Sequence, residues 1–144
     1  MATFLSDQMT LLAAVPRSMV KSNEFGGRTR RAWFSITLPA SGLATGDNIT
    51  LCEIPAGARI TGGNFRWGTA QGVTATTAIG IAGTTGKYFV AAVTNDLLVK
   101  QVADTIAHNY GVALTARETI IATNAAAAWA ASSVLKGHIE YTVD

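Results

Sequence analysis

Residues 54–63, Ile-Pro-Ala-Gly-Ala-Arg-Ile-Thr-Gly-Gly, mark the point where one apolar segment ends and the next begins. The preceding residues 49–54 are largely apolar, and the Pro and the first Gly supply the backbone conformations that a tight turn requires. Segment 59–67 again has the composition of a strand, and the two adjacent glycines at 62–63 indicate a β-bulge or the close approach of another backbone. These residues therefore predict two strands joined by a turn.

Short strand-like segments recur along the rest of the chain. In residues 34–38 apolar and polar residues alternate, as in a strand with one buried face. The other segments expected to form strands, each bounded by turn-forming residues, are 49–54, 59–67, 73–82, 88–93, 111–114, 118–123 and 134–143. Strands that recur about every 10–12 residues predict an all-β fold, an antiparallel sandwich or barrel.

Residues 95–108 fit two structures. Their leucines, Val102 and Ile106 follow helical spacing, with Asn95 as the N-cap. The same residues also fit an extended connection that contains a short strand. The sequence leaves both possibilities open.

The N-terminal residues 1–30 differ from the remainder in pattern and in charge. They lack sustained periodicity and contain a proline and a Gly-Gly pair. Residues 1–35 hold five basic and two acidic side chains, whereas the remainder holds six basic and seven acidic ones. We therefore predict an extended N-terminal arm, residues 1–30, followed by one β-sandwich domain, residues 31–144.

The composition favours an assembly protein. Only 14% of the 144 residues are charged, against about 25% in an ordinary soluble domain. Such a surface consists of small polar and apolar residues, or it is buried against a partner. The net charge of +2 is too small to predict nucleic-acid binding, and no apolar segment approaches the length of a membrane span.

No set of catalytic or ligand residues can be identified. Residues 83–87, Gly-Thr-Thr-Gly-Lys, lack the first glycine and the final hydroxyl residue of a phosphate-binding loop and are interpreted as a glycine hairpin. His108 and His138 lack companions at ligand spacing that would form a convincing metal site, and the single cysteine, Cys52, fits a small buried apolar residue. The sequence therefore predicts a protein that is not an enzyme and needs no cofactor or metal.

A basic cluster beside an aromatic residue is the strongest candidate for a contact site. In order of preference, it is interpreted as a contact with an acidic protein surface, as a solvated strand start, or as a site for single-stranded nucleic acid. Arg and Trp are the side chains that most often anchor protein interfaces. The candidate contact residues are Arg17, Lys21, Arg28, Arg30, Arg31 and Trp33.

Trp129 lies within the alanine-rich tract 125–131. As an isolated peptide this tract would favour a helix. Because strands are predicted on both sides, we prefer a wide hairpin loop that exposes Trp129. An exposed tryptophan stacks well on a sugar ring, which keeps a carbohydrate-binding module as an alternative.

The order of several motifs resembles that of the jelly-roll cement, or decoration, proteins of tailed-phage capsids. The similarity covers roughly residues 30–144 and depends on the order and spacing of the motifs. The matching segments are the Ile-Pro-x-Gly-Ala-Arg turn at 54–59, the Gly-rich hairpin and Tyr-centred strand at 84–92, the strand at 118–123, and the final strand with Glu-Tyr at 137–141.

This resemblance implies a jelly-roll sandwich that binds the outer surface of a phage head. Its partner would be the major capsid protein, and it would clamp adjacent capsomers of the expanded shell as a homo-oligomer, a dimer or a trimer. It would be made in the cytoplasm of a host bacterium and function on the virion, without direct nucleic-acid or membrane contact. The alternative is a jelly-roll receptor- or glycan-binding module of a phage head or tail fibre.

Overall fold

The computed structural model describes residues 28–71, 74–90, 100–101, 111–124 and 126–143. Within these ranges the regular elements are β-strands. They are β1 (Thr29–Thr37), β2 (Asn48–Ile54), β3 (Arg59–Trp67), β4 (Thr77–Ile81), β5 (Thr84–Val90), β6 (Lys100–Gln101), β7 (Glu118–Asn124) and β8 (Val134–Thr142). No helix long and apolar enough to cross a membrane is found among the described residues.

The strands form two antiparallel sheets. The first has the order β1-β8-β3-β6 and the second the order β2-β7-β4-β5. Every connection between successive strands crosses from one sheet to the other, except the β4–β5 hairpin. Eight strands distributed in this way form a jelly roll. The prediction of an all-β, jelly-roll-type sandwich is therefore confirmed.

The turn at residues 55–58 carries the chain from the second sheet to the first. The Ala58 amide donates to the Pro55 carbonyl (3.3 Å), and Gly57 has a φ of +79°, which L-residues rarely adopt. In β3 the register against β8 shifts between Ile60 and Gly62, so the bulge predicted near the two glycines is present.

Aromatic residues from both sheets fill the interior. The rings of Phe65 in β3 and Phe89 in β5 lie 5.0 Å apart in an edge-to-face arrangement. Trp67 in β3 also reaches the second sheet, because its Nε1 donates to Thr77 Oγ1 (3.2 Å). Edge-to-face pairs and a satisfied indole N–H are the arrangements that stabilise buried aromatic groups.

Trp129 belongs to this core, so the prediction of an exposed loop residue was wrong. Its side chain is 1% exposed and its ring centroid lies 5.0 Å from that of Trp67. Two backbone hydrogen bonds with Leu43 fix the segment, and the indole Nε1 donates to the Thr76 carbonyl (3.1 Å). Burying the large ring stabilises the fold, and the bridge to Leu43 positions it without a helix.

Several predicted boundaries differ from the observed ones. Strand β4 occupies only part of segment 73–82, and β5 starts at Thr84 because the hairpin turn is formed by Ala82 and Gly83. In segment 111–114 the chain makes one isolated bridge, between Ala113 and Arg59, instead of a strand. The predicted arm lies outside the described residues up to position 27, and so does most of 95–108, apart from β6.

Candidate protein interface on the outer face of the first sheet

The outer face of the first sheet is formed by alternate residues of β1 and β8. Successive side chains of a strand point to opposite faces. Phe34 points into the core, and its neighbours Trp33 and Ser35 therefore point outward. The antiparallel register places Trp33 opposite His138 and Ser35 opposite Lys136.

Strand β3 extends this face on the other side of β8. Asn64 is paired with His138, and Arg66 is paired with Lys136. Three strands that are distant in sequence thus contribute side chains to one surface. We call it the Trp33 face and define it by Arg31, Trp33, Arg66, Lys136, His138 and Glu140.

The indole of Trp33 is exposed and is held from beneath. Its side chain is 67% exposed, and its ring centroid lies 4.5 Å from that of the buried His138 imidazole. His138 Nε2 lies 3.4 Å from Glu140 Oε1, and Arg31 Nε donates to the same oxygen at 2.8 Å. Three side chains from two strands, His138, Glu140 and Arg31, therefore support one exposed aromatic ring.

One buried atom of this cluster lacks a partner. His138 Nδ1 makes no hydrogen bond in the structure. Buried polar atoms are normally paired, because leaving one unpaired costs about 1–3 kcal/mol. The Nδ1 atom therefore adds nothing to stability through a hydrogen bond within the described residues.

The remaining charges on this face are positive. Lys136 and Arg66 are both exposed, and no described residue forms an ion pair with either. Like charges on directly opposed cross-strand residues repel each other. Open depressions lie on both sides of Lys136, one of about 460 Å³ beside Trp33 and Ser35, and one of about 330 Å³ beside Arg66 and Val134.

The structure places the sequence-predicted contact residues in three groups. Arg31 and Trp33 share the Trp33 face, whereas Arg28 and Arg30 are exposed at the start of β1 without a described contact. Arg17 and Lys21 lie outside the described residues. The sequence did not indicate that His138 and Lys136 belong to the same site, because only the β1–β8 register brings them there.

A second polar cluster lies between β5 and β7. The Tyr88 hydroxyl and Lys87 Nζ both donate to the Glu118 carboxylate. Burial, the hydrogen bond to Glu118 and its negative charge raise the pKa of the Tyr88 phenol well above its usual range. The phenol therefore stays protonated and links two strands of the second sheet.

The described residues meet neither the requirements of a metal site nor those of a reactive thiol. No group of three or more His, Cys, Asp or Glu side chains that could hold a metal ion occurs in the described ranges. Burial raises the pKa of the Cys52 thiol to about 11, so it is protonated at neutral pH and is a poor nucleophile.

Comparison with known proteins gives a likeness in fold. No protein-family model matches the chain, and no curated protein sequence matches it. A chain of the cyanophage Pam1 capsid asymmetric unit matches with a TM-score of 0.65 at 21% identity, over 83% of this chain and 88% of that chain.

Two further solved structures match in the same way. A chain of the capsid of Ralstonia phage GP4 has a TM-score of 0.62 at 19% identity, over 82% of this chain and 86% of its own length. A chain of the acidic stable capsid structure of Helicobacter pylori bacteriophage KHP30 has a TM-score of 0.55 at 10% identity, over 81% of this chain and 89% of its own length. At these identities the likeness establishes a shared fold.

Proposed function

We propose that this chain is a capsid cement protein, a structural virion protein that binds the outer surface of a tailed-phage head and clamps adjacent capsomers of the expanded shell. One observation carries the proposal. Chains of two phage capsid structures match this jelly roll with TM-scores of 0.65 and 0.62, over more than four fifths of each chain compared. The likeness thus covers the whole sandwich and is not confined to one motif.

The physical requirements of a clamp agree with this chain. A clamp performs no chemistry; it needs a rigid body and an adhesive surface with few charges to desolvate. The aromatic core supplies the rigid body, and only 14% of the residues are charged. A homo-oligomer, a dimer or a trimer, would grip several shell subunits at once, so that weak single contacts add up through effective concentration.

The proposed partner is the major capsid protein. The proposed contacts are the arm, residues 1–30, and the basic and aromatic start of β1. The side chains in these contacts are Arg17, Lys21, Arg28, Arg30, Arg31 and Trp33. Their charge would face acidic positions of the shell.

Copy number in purified virions tests this function first. A cement protein is present at a copy number comparable to that of the major capsid protein, which quantitative gel densitometry or mass spectrometry measures. The protein should also bind expanded heads in a pelleting assay. Complete absence from particles would refute the proposal.

A charge-reversal pair tests the arm contact separately. Arg28→Glu combined with Arg30→Glu should weaken pelleting with expanded heads. Arg117→Glu is the control, because Arg117 is also exposed but lies elsewhere, paired with Glu53 of β2 (3.1 Å). Equal binding by both variants would remove these arginines from the contact.

The second candidate function is a receptor- or glycan-binding module of a phage head or tail fibre. The observation that favours it is the exposed Trp33 beside an open depression, since sugars stack on exposed tryptophans. Such a module would be present in a few copies per particle. Binding to a glycan array that Trp33→Ala abolishes would support it.

A further inference from the structure

We propose that the Trp33 face is the docking surface for an acidic loop of the shell protein. In this arrangement an apolar side chain of the loop packs on the Trp33 ring, and its carboxylates pair with Lys136 and Arg66. This inference rests on the proposed cement function and deepens it. It adds residues of β3 and β8 to the contact and assigns His138 as a positioning residue.

Charge complementarity identifies the occupant as acidic. The Trp33 face carries three basic side chains and one carboxylate, and Arg31 already occupies that carboxylate at 2.8 Å. Lys136 and Arg66 are directly opposed in the β8–β3 register, and no described residue neutralises them. A carboxylate between them relieves their mutual repulsion, so a partner with acidic side chains gains more here than a neutral one.

The arrangement of Trp33 supplies the anchor. Tryptophan is among the residues that contribute most to binding when a partner covers them. This one is 67% exposed, yet its ring already rests on the buried His138. Because the ring is held before the partner arrives, little side-chain freedom is lost on binding.

His138 is best explained by this supporting role. It is 7% exposed, and its Nδ1 has no hydrogen-bond partner. An apolar side chain at the same position would fill the space without an unpaired polar atom. The imidazole ring instead packs against Trp33, and its Nε2 lies 3.4 Å from Glu140. Through these two contacts His138 holds the Trp33 ring in position.

The depressions set the size of the loop. Volumes of about 460 Å³ and about 330 Å³ on the two sides of Lys136 accommodate a few side chains. A short extended segment laid across β1, β8 and β3 would place one apolar residue near Trp33 and acidic residues beyond it. This chemistry favours a protein loop over a nucleic acid, since phosphates would find only two unneutralised charges here.

The test measures binding of the full-length chain to expanded phage heads stripped of it. Trp33→Ala should weaken binding roughly 30-fold, as the loss of an anchoring tryptophan does. Lys136→Glu combined with Arg66→Glu should weaken it at least as much, and raising NaCl from about 50 to about 500 mM should weaken wild-type binding. Arg117→Glu, the exposed control on the other sheet, should bind within about twofold of wild type.

His138→Leu separates positioning from stability. The variant should keep or raise the melting temperature, because it removes an unpaired buried atom. Its affinity for the heads should nevertheless fall, since Trp33 is no longer held in place. A fall in affinity that matches a fall in melting temperature would assign His138 a structural role only and overturn the positioning claim.

The other outcomes discriminate between the proposals. If wild type binds heads and the Trp33 and Lys136 variants bind equally well, the docking surface is wrong and the cement function stands. If wild type does not bind heads at all, the cement function itself fails. If Trp33→Ala dissociates an oligomer of the free protein in sedimentation velocity, a second copy of this chain covers the Trp33 face. If the protein binds labelled single-stranded DNA more tightly than heads, a nucleic acid covers it. Either result would overturn the proposal that an acidic loop docks there.

Discussion

Replacing Trp129 by alanine should destabilise the protein far more than the same replacement of Trp33. Trp129 is 1% exposed, packs on Trp67 and donates its indole N–H to the Thr76 carbonyl at 3.1 Å. Truncating a buried tryptophan costs about 3–5 kcal/mol, and the orphaned carbonyl places the value toward the upper end. Trp33 is 67% exposed, so its truncation should cost about 1 kcal/mol or less.

Urea unfolding followed by far-ultraviolet circular dichroism measures both values without relying on tryptophan emission. With a slope of about 2 kcal/mol per molar, Trp129→Ala lowers the urea midpoint by about 2–2.5 M and Trp33→Ala by about 0.5 M or less. Trp129→Phe keeps most of the ring and loses the hydrogen bond, so it should fall between them and remains measurable if the alanine variant does not fold. Equal shifts for Trp129→Ala and Trp33→Ala would refute the assignment of one tryptophan to the core and the other to the surface.

Three further predictions concern the sandwich itself. Gly42→Ala should lower stability by about 1–3 kcal/mol in urea, because φ is +70° and a Cβ would lie 2.5 Å from the Trp129 carbonyl oxygen; an unchanged midpoint would contradict this geometry. Burial raises the pKa of the Cys52 thiol from 9.0 to about 11, so the unfolded chain loses this proton at a lower pH than the folded protein does. The free energy of unfolding should therefore fall as pH rises from about 9 to about 11. Cys52→Ser should reduce that fall. Tyr88→Phe should cost about 1–2 kcal/mol, since it removes the hydroxyl that donates to Glu118, and a neutral result would mean that this hydrogen bond adds nothing.

Local signals in the sequence were sufficient to predict most of the strands. The end of β2 at Ile54 and the start of β3 at Arg59 coincide with the predicted boundaries. A proline and a glycine with a positive φ interrupt the apolar pattern there, so the boundary is set by backbone chemistry within a few residues. The period of two in β1 likewise predicted which residues face the core.

The location of Trp129 could not be predicted from such signals. The surrounding alanines show neither a period of two nor a convincing helical stripe, and the contact that buries the ring is a bridge to Leu43, far away in the sequence. A pattern confined to neighbouring residues carries no information about that bridge. The same reasoning applies to segment 111–114, where a single pairing with Arg59 replaced the expected strand.

The candidate interface was predicted only in its β1 half. Arg31 and Trp33 are conspicuous because a basic cluster precedes an aromatic pair. His138 looked isolated in the sequence, and it joins Trp33 only because β8 pairs with β1 in one particular register. Shifting that register by one residue would turn His138 to the other face, so the site depends on long-range pairing that the sequence alone does not specify.

The antiparallel pairing of β1 and β8 also determines how the domain carries mechanical load. Thr29 lies opposite Thr142, so residues 28 and 143 are adjacent at one end of the same hydrogen-bonded ladder. A force that separates these two points would open the ladder one pair at a time, as a zipper opens. Tension applied between Trp33 and residue 28 instead runs along the covalent backbone of β1. An attachment at residue 28 would therefore resist this load better than one at residue 143.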